Sequence, residues 1–140
     1  MRYCVLDLNG TLALEGKVSE EVGERLELLS GRLELFLLSS DTFGTAEEVA
    51  SRFGMALRVV RGAEDKLRFV RELGAGTVVA VGNGRNDRLM FREAALAVAV
   101  LGPEGLAVDA IRQADLVAPS PEAALDLLLH PARLVATLRG

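Results

Sequence analysis

The stretch Val5-Leu6-Asp7-Leu8-Asn9-Gly10-Thr11-Leu12-Ala13, close to the start of the chain, decides how the rest of the sequence is interpreted. The apolar run over residues 3–8 predicts a buried strand, and Asp7 stands near its carboxyl end. A carboxylate held in that position is able to attack phosphorus and form an aspartyl phosphate. The alternative is a β-hairpin, because Asn9-Gly10 between two apolar runs is a strong hairpin signal. The segment alone leaves both interpretations open.

Length and composition favour one domain over residues 1–140, since the chain is too short for two domains of ordinary size. The net charge of -4 excludes a general attraction to nucleic acid or to an anionic membrane surface. Cys4 is the single cysteine, so an internal disulfide is excluded and a reducing compartment is favoured. The opening MRYCVLD is unlike a secretory signal, and no apolar run reaches the roughly 18 residues of a membrane span. We therefore expect a cytoplasmic protein.

Strand and helix signals alternate along the chain with short connections, which predicts an α/β fold with a central, mostly parallel sheet between two layers of helices. Strands are predicted at residues 3–8, 33–39, 57–61, 77–81, 97–101 and 116–118. Helices are predicted at residues 19–29, 45–53, 64–73, 87–95 and 104–114, with one or two more after Pro121. Ser19 is the expected cap of the first helix, residues 12–18 a short excursion with a Glu-Gly turn, and Thr45 to Glu48 a capping box.

Three polar clusters follow predicted strands, at residues 7–11, 39–42 and 82–87. Ligands of such sheets bind beyond the carboxyl ends of the strands, so these clusters should meet at one edge. Lys66, near the start of the third helix, could point toward the same edge and neutralise a phosphate, although a surface lysine is the simpler interpretation. Asn83 and Asp87 offer the oxygen ligands that Mg²⁺ prefers.

Together, Asp7 to Thr11, Ser39, Lys66 and the segment GNGRND at residues 82–87 resemble, in order and spacing, the four motifs of the haloacid dehalogenase superfamily of phosphohydrolases. More narrowly, DLNGTLA, SSDTFGTAEEV and GNGRNDRLMFREAAL resemble a bacterial and archaeal group of soluble homologues of the P-type ATPase catalytic core. The resemblance implies a Rossmann-like three-layer core and Mg²⁺-dependent phosphoryl transfer from a phosphorylated substrate through an Asp nucleophile.

The resemblance also implies a role for each matching residue. Asp7 would be the nucleophile and a Mg²⁺ ligand, and Asn9 would bind Mg²⁺ through its backbone carbonyl. The implied catalytic residues are Asp7, Asn9, Ser39 and Lys66; the phosphate-binding residues are Gly10, Thr11, Ser39, Ser40 and Lys66; the metal ligands are Asp7, Asn9, Asn83 and Asp87.

Two amides depart from the superfamily pattern. Most of its phosphatases have Asp two residues after the nucleophile, where it acts as general acid and base, and Asn9 can do neither. General acid and base catalysis raises a reaction rate typically about 10² to 10⁴-fold. Since Asn9 cannot provide it, we expect a slow phosphatase or a long-lived phosphoenzyme. Asn83 stands where many members have Asp, which predicts weaker Mg²⁺ binding until a substrate phosphate adds its charge.

The short spacing of the motifs predicts that there is no cap domain, since 27 residues lie between Thr11 and Ser39 and 26 between Ser39 and Lys66. An open site suits a macromolecular phosphate, or a small substrate enclosed by a second subunit of a homo-oligomer. Thr42, Phe43 and Arg85 are candidates to line its mouth.

Two other functions remain open. A phosphate-binding or regulatory module would keep the pocket without useful turnover, as Asn9 and Asn83 suggest. A receiver-type phosphoacceptor fits less well, because its acceptor Asp follows the third strand. His130, before Pro131, and the apolar run 124–129 are interpreted as a surface turn and a packing helix.

Overall fold

The computed structural model describes residues 1–14, 16–40 and 44–140. Its strands are β1 (Tyr3–Asp7), β2 (Ala13–Leu14), β3 (Lys17–Val18), β4 (Glu34–Ser39), β5 (Ala56–Val59), β6 (Val78–Gly82), β7 (Leu96–Val100) and β8 (Leu116–Ala118). Its α-helices are α1 (Glu20–Ser30), α2 (Thr45–Arg52), α3 (Ala63–Leu73), α4 (Arg88–Glu93), α5 (Val108–Gln113), α6 (Pro121–Leu129) and α7 (Pro131–Leu138). Within the described ranges, no helix is long and apolar enough to cross a membrane.

Six strands form one parallel sheet in the order β5-β4-β1-β6-β7-β8. β1 lies in the middle, where Leu6 is opposite Leu37 of β4 on one side and Val81 of β6 on the other. The chain first builds the sheet outward through β4 and β5, and then returns to the other side of β1 for β6. The order of connection therefore reverses at β1, which places a crevice at the carboxyl ends of β1 and β6.

Alternate residues of each central strand enter two separate hydrophobic clusters, one on each face of the sheet. Leu6 and Leu37 pack with α1, α2 and α6, whereas Val5 and Leu38 pack with α3, α4 and α5. Because both faces are covered, the strands read as nearly continuous apolar runs. The predicted three-layer α/β architecture is confirmed.

The hairpin interpretation of the first motif is wrong. β1 pairs in parallel with β4 and β6, and the residues after it turn away from the sheet. The predicted excursion is a small antiparallel pair of β2 and β3, in which Ala13 lies opposite Val18. Glu15, of the predicted Glu-Gly turn, lies outside the described residues.

Of two predicted helix starts, the cap at Ser19 is confirmed and the capping box at Thr45 is wrong. Ser19 caps α1, since its Oγ accepts a hydrogen bond from the Val22 amide at 3.2 Å. The capping box at Thr45 is wrong: Thr45 is the first helical residue, and Gly44 precedes the helix at φ +92° without a side-chain cap. The helix begins instead with a backbone bond, from the Glu48 amide to the Gly44 carbonyl at 3.0 Å.

The helix predicted at residues 104–114 begins only at Val108. The preceding residues form a turn, in which the Gly105 amide donates to the Gly102 carbonyl at 2.9 Å and Gly105 has φ +83°. The Ala107 amide is held by the Asn83 carbonyl at 2.9 Å, so a contact from another part of the chain delays the helix. As expected, His130 is an exposed turn residue, between α6 and α7, and α6 buries its apolar face.

Candidate active site

A polar pocket of about 480 Å³ opens at the carboxyl ends of β1, β4 and β6. Six predicted site residues line it together: Asp7, Asn9, Ser39, Ser40, Lys66 and Asn83. Ser39, the last residue of β4, is buried, whereas Ser40 and Asn9 are exposed. The structure therefore brings the residues of all four motifs to one edge of the sheet.

Lys66 is a buried residue at the centre of this site, and its interpretation as a surface lysine is wrong. Its side chain is only 3% exposed, and its Nζ lies 3.1 Å from Asp7 Oδ1 and 2.6 Å from Asp87 Oδ1. The same Nζ also donates to Asn86 Oδ1 at 3.2 Å. The lysine thus joins the end of β1, the first turn of α3 and the loop after β6.

Two carboxylates share one ammonium group in this cluster, which leaves an excess of one negative charge. Burial raises the pKa of Asp7 from 3.8 to about 6, and the negative charge of Asp87 adds to this effect, although Lys66 and the Thr11 hydroxyl oppose it. Burial by itself lowers the pKa of Lys66, but the charges of Asp7 and Asp87 outweigh it and raise that pKa above its ordinary value. Lys66 therefore keeps its positive charge at neutral pH. The remaining negative charge of the two carboxylates favours a second cation at the pocket.

Asp87 holds the loop after β6 in place. It has no exposed surface, and its Oδ2 accepts the backbone amides of Asn83 and Gly84, both at 3.0 Å. A Cβ atom on Gly82 would lie 2.3 Å from the same oxygen, so only glycine allows the carboxylate to approach the strand end. Asp87, which was expected to be a metal ligand, thus lies behind the pocket wall, turned toward Lys66 and the loop backbone.

Thr11 connects the first motif with the last. Its buried hydroxyl lies 3.2 Å from Asp7 Oδ2 and 3.0 Å from Asn83 Oδ1, and it can donate its single proton to either oxygen. Gly10 has φ +78°, and a Cβ atom on it would lie 2.8 Å from Asn83 Nδ2. Gly10 is therefore needed for the close packing of the first motif against the loop of Asn83, which explains this glycine without a hairpin.

Asn86, from the predicted polar cluster at residues 82–87, also lines the pocket. So do two polar residues that the sequence did not predict as site residues, Arg61 and Glu104. Arg61 is the last residue of the strand predicted at residues 57–61, and this place at the carboxyl end of a strand is a signal that the sequence offers. Glu104 was assigned to a helix, so its place at the pocket gave no local signal. Arg85 is exposed and pairs with Asp109 at 2.8 Å rather than lining this pocket, and Thr42 and Phe43 lie outside the described residues.

The oxygen donors in the pocket fit a hard divalent cation. Asp7 provides a carboxylate with 14% of its side chain exposed, and Asn83 an amide oxygen on the other side of the Thr11 hydroxyl. The described part of the chain contains no cluster of three or more His, Cys, Asp or Glu side chains suited to a metal. A site with few protein ligands is of the kind that Mg²⁺ occupies while keeping several waters.

Comparison with known proteins adds two relatives from Methanocaldococcus jannaschii. The chain is 40% identical to the uncharacterized protein MJ0073 over 78 residues, which are 53% of this chain and 84% of that protein. The chain belongs to the family of MJ0073. It is also 55% identical to the uncharacterized protein MJ0072 over 38 residues, 27% of this chain and 86% of that protein. No established family model matches the sequence.

Solved structures identify the fold of this MJ0073 relative as that of the haloacid dehalogenase superfamily. A candidate HAD family hydrolase from Streptomyces avermitilis MA-4680 has a TM-score of 0.70 at 20% identity, over 89% of this chain and 80% of that one. The 3-deoxy-D-manno-octulosonate 8-phosphate phosphatase of Moraxella catarrhalis, in complex with magnesium, phosphate and KDO, has a TM-score of 0.74 at 18% identity, over 99% and 94%. A zinc-transporting PIB-type ATPase has a TM-score of 0.69 at 23% identity, over 86% of this chain and 20% of the ATPase. These structures share the fold that the resemblance of the motifs implied.

Proposed function

We propose that this chain is a Mg²⁺-dependent phosphohydrolase that forms an aspartyl phosphate on Asp7. The observation that carries the proposal is the cluster of Asp7, Lys66 and Asp87 at the switch point of the sheet, in which Asp7 is the most exposed of the three side chains and lines the pocket. Lys66 and Thr11 hold the Asp7 carboxylate in one orientation, so little freedom is lost when a phosphate is attacked. The phosphatases among the structural neighbours support the same reaction class.

In the proposed first step, a carboxylate oxygen of Asp7 bonds to phosphorus as the bond from phosphorus to the leaving oxygen breaks. Ser39, Ser40 and Lys66, together with the Gly10-Thr11 turn, would hold the phosphate oxygens. In the second step water attacks phosphorus, inorganic phosphate leaves and the Asp7 carboxylate is regenerated. Lys66 stays charged throughout, because both its partners are acids.

Mg²⁺ would be held by Asp7, the Asn9 carbonyl and Asn83, with Asp87 positioning the loop of Asn83 next to it. Once bound, it supplies positive charge that offsets the negative charge of the phosphate. The excess negative charge of the carboxylate and lysine cluster supports this assignment, since a phosphate dianion would otherwise meet repulsion at Asp7.

Asn9 favours slow turnover. Its exposed side chain lines the pocket but cannot protonate a leaving group or take a proton from water. The second candidate function, a phosphate-binding module without turnover, rests on this amide. Both functions predict phosphate binding, and they differ in whether Asp7 becomes phosphorylated.

Hydrolysis of an activated aryl phosphate in the presence of Mg²⁺ separates them. The variants are Asp7→Asn and Asn9→Asp, with Asp109→Asn as a surface control for the loss of a carboxylate. We expect no activity from Asp7→Asn, a rate raised by roughly 10-fold or more in Asn9→Asp, and an unchanged rate in the control. Equal rates for wild type and Asp7→Asn would refute the enzymatic proposal.

A further inference from the structure

Glu104 occupies an unexpected place at the mouth of the pocket. The turn that carries it is fixed by Asn83, whose carbonyl accepts the Ala107 amide at 2.9 Å and whose side chain reaches the Gly105 carbonyl at 3.5 Å. The same turn approaches the first motif, because a Cβ atom on Gly102 would lie 3.0 Å from the Gly10 carbonyl oxygen. The loop is therefore hydrogen-bonded to Asn83 and lies close to Gly10, both of them next to the candidate active site.

The Glu104 side chain lies directly over the Asn9-Gly10 turn. A Cβ atom on Gly10 would lie 3.2 Å from both Cδ and Oε2 of Glu104, so the carboxylate rests against the backbone next to Asn9. Glu104 lines the same pocket as Asp7 and Asn9. A carboxylate thus lies against the Gly10 backbone, in the same pocket as Asn9, whose amide cannot transfer a proton.

The Glu104 carboxylate is not engaged elsewhere. Within the described part of the chain it makes no hydrogen bond or ion pair, whereas both oxygens of Asp87 have partners. Lys66 is already shared between Asp7 and Asp87, so it does not draw Glu104 into an ion pair. A carboxylate without a protein partner remains able to accept a proton.

We propose that Glu104 is the base that activates water to hydrolyse the aspartyl phosphate, in place of the carboxylate that Asn9 lacks; this rests on the proposed function. One oxygen of Glu104 takes a proton from water while the water oxygen bonds to phosphorus. The bond between phosphorus and the Asp7 oxygen breaks, and its electrons return to the Asp7 carboxylate. The products are inorganic phosphate, ionised Asp7 and protonated Glu104, which then loses its proton to solvent.

The test measures formation and decay of the phosphoenzyme separately, with a radiolabelled aryl phosphate and Mg²⁺ as the probe. The variants are Glu104→Gln and the double variant Asn9→Asp with Glu104→Gln. Glu122→Gln is the matched control, because Glu122 lines the neighbouring pocket beside Gly102 and Pro103 but not the pocket of Asp7. Circular dichroism and thermal unfolding show that each variant is folded.

We expect Glu104→Gln to form the phosphoenzyme within about 2-fold of the wild-type rate and to lose it at least about 10-fold more slowly. Decay in the double variant should return to the wild-type rate or exceed it, while Glu122→Gln matches wild type. Decay in Glu104→Gln within 2-fold of wild type, or equal slowing in Glu122→Gln, would overturn the role of Glu104. Absence of label on wild-type Asp7 would instead overturn the phosphohydrolase proposal itself, so the two failures are distinguishable.

Discussion

Replacing the proposed nucleophile should make the metal-free protein more stable. In wild type at pH 8, Asp7 and Asp87 are two negative charges around one Lys66 ammonium, largely shielded from water. Asp7→Asn removes the excess charge and keeps a carbonyl oxygen that can accept hydrogen bonds from Lys66 and Thr11. The substitution therefore removes the cost of burying the Asp7 charge and its repulsion from Asp87. It does not leave Lys66 unpaired, because Asp87 remains at 2.6 Å.

The size of the gain follows from the pKa of Asp7. Folding raises this pKa from 3.8 to about 6. The folded state therefore holds the proton more tightly than the unfolded state. Stability from this group is fully present below about pH 4 and is lost as the pH rises through 6. At roughly 1.4 kcal/mol per pH unit, the loss is about 3 kcal/mol. Asparagine does not titrate, so the difference in unfolding free energy between variant and wild type should grow by roughly 2.5 kcal/mol from pH 4 to pH 8.

Urea unfolding in EDTA at pH 4, 5, 6, 7 and 8 measures this difference, with Asp109→Asn as the control for a surface carboxylate. At pH 8 the variant should also unfold at a temperature higher by roughly 6 to 12 °C. The control should stay within about 0.5 kcal/mol of wild type at every pH. An Asp7→Asn variant that gains the same stability at pH 4 as at pH 8, or that is less stable than wild type at pH 8, would refute the raised pKa of Asp7.

Three other changes test the same cluster. Lys66→Met should cost about 3 to 5 kcal/mol in urea unfolding because it leaves two buried carboxylates without a cation, and a cost no larger at pH 8 than at pH 5 would contradict this. Gly82→Ala should cost about 1 to 3 kcal/mol, since its Cβ would lie 2.3 Å from Asp87 Oδ2; unchanged urea unfolding would show that the loop moves freely. Mg²⁺ at ten times its Kd should stabilise wild type by about 1.4 kcal/mol in thermal unfolding, and an equal gain in Asp7→Asn would argue against Asp7 as a ligand.

Local sequence signals were sufficient where a contact depends on strand order. Asp7, Ser39 and Asn83 each follow an apolar run, and parallel strands bring their carboxyl ends to one edge, so their meeting was predictable. The burial of Lys66 was not predictable from α3 alone, because it depends on Asp7 and Asp87 from distant parts of the chain. The place of Glu104 at the pocket was likewise not predictable from its own segment, because it depends on contacts with the loop of Asn83 and with Gly10.

Two helix starts were predicted wrongly, for different physical reasons. The helix expected from residue 104 is delayed because the Asn83 carbonyl holds the Ala107 amide, a bond between residues far apart in sequence. The capping box is wrong because Gly44, in a left-handed conformation, is the N-cap residue of α2, so Thr45 is already helical. Helix propensity reflects the cost of local backbone conformations, and it does not include a hydrogen bond to a distant residue such as the one from Ala107 to Asn83.

The central position of β1 has a consequence for the order in which the site is assembled. Asp7 precedes its partner Lys66 by 59 residues along the chain, and Asp87 follows Lys66 by another 21 residues. Contacts between residues so far apart in the sequence form slowly, because the long intervening segments must be closed first. Helices on an unfinished sheet would already give a circular dichroism signal while Asp7 still lacked both neighbours. Labelling of Asp7 would therefore report completion of the fold, later than any spectroscopic measure of secondary structure.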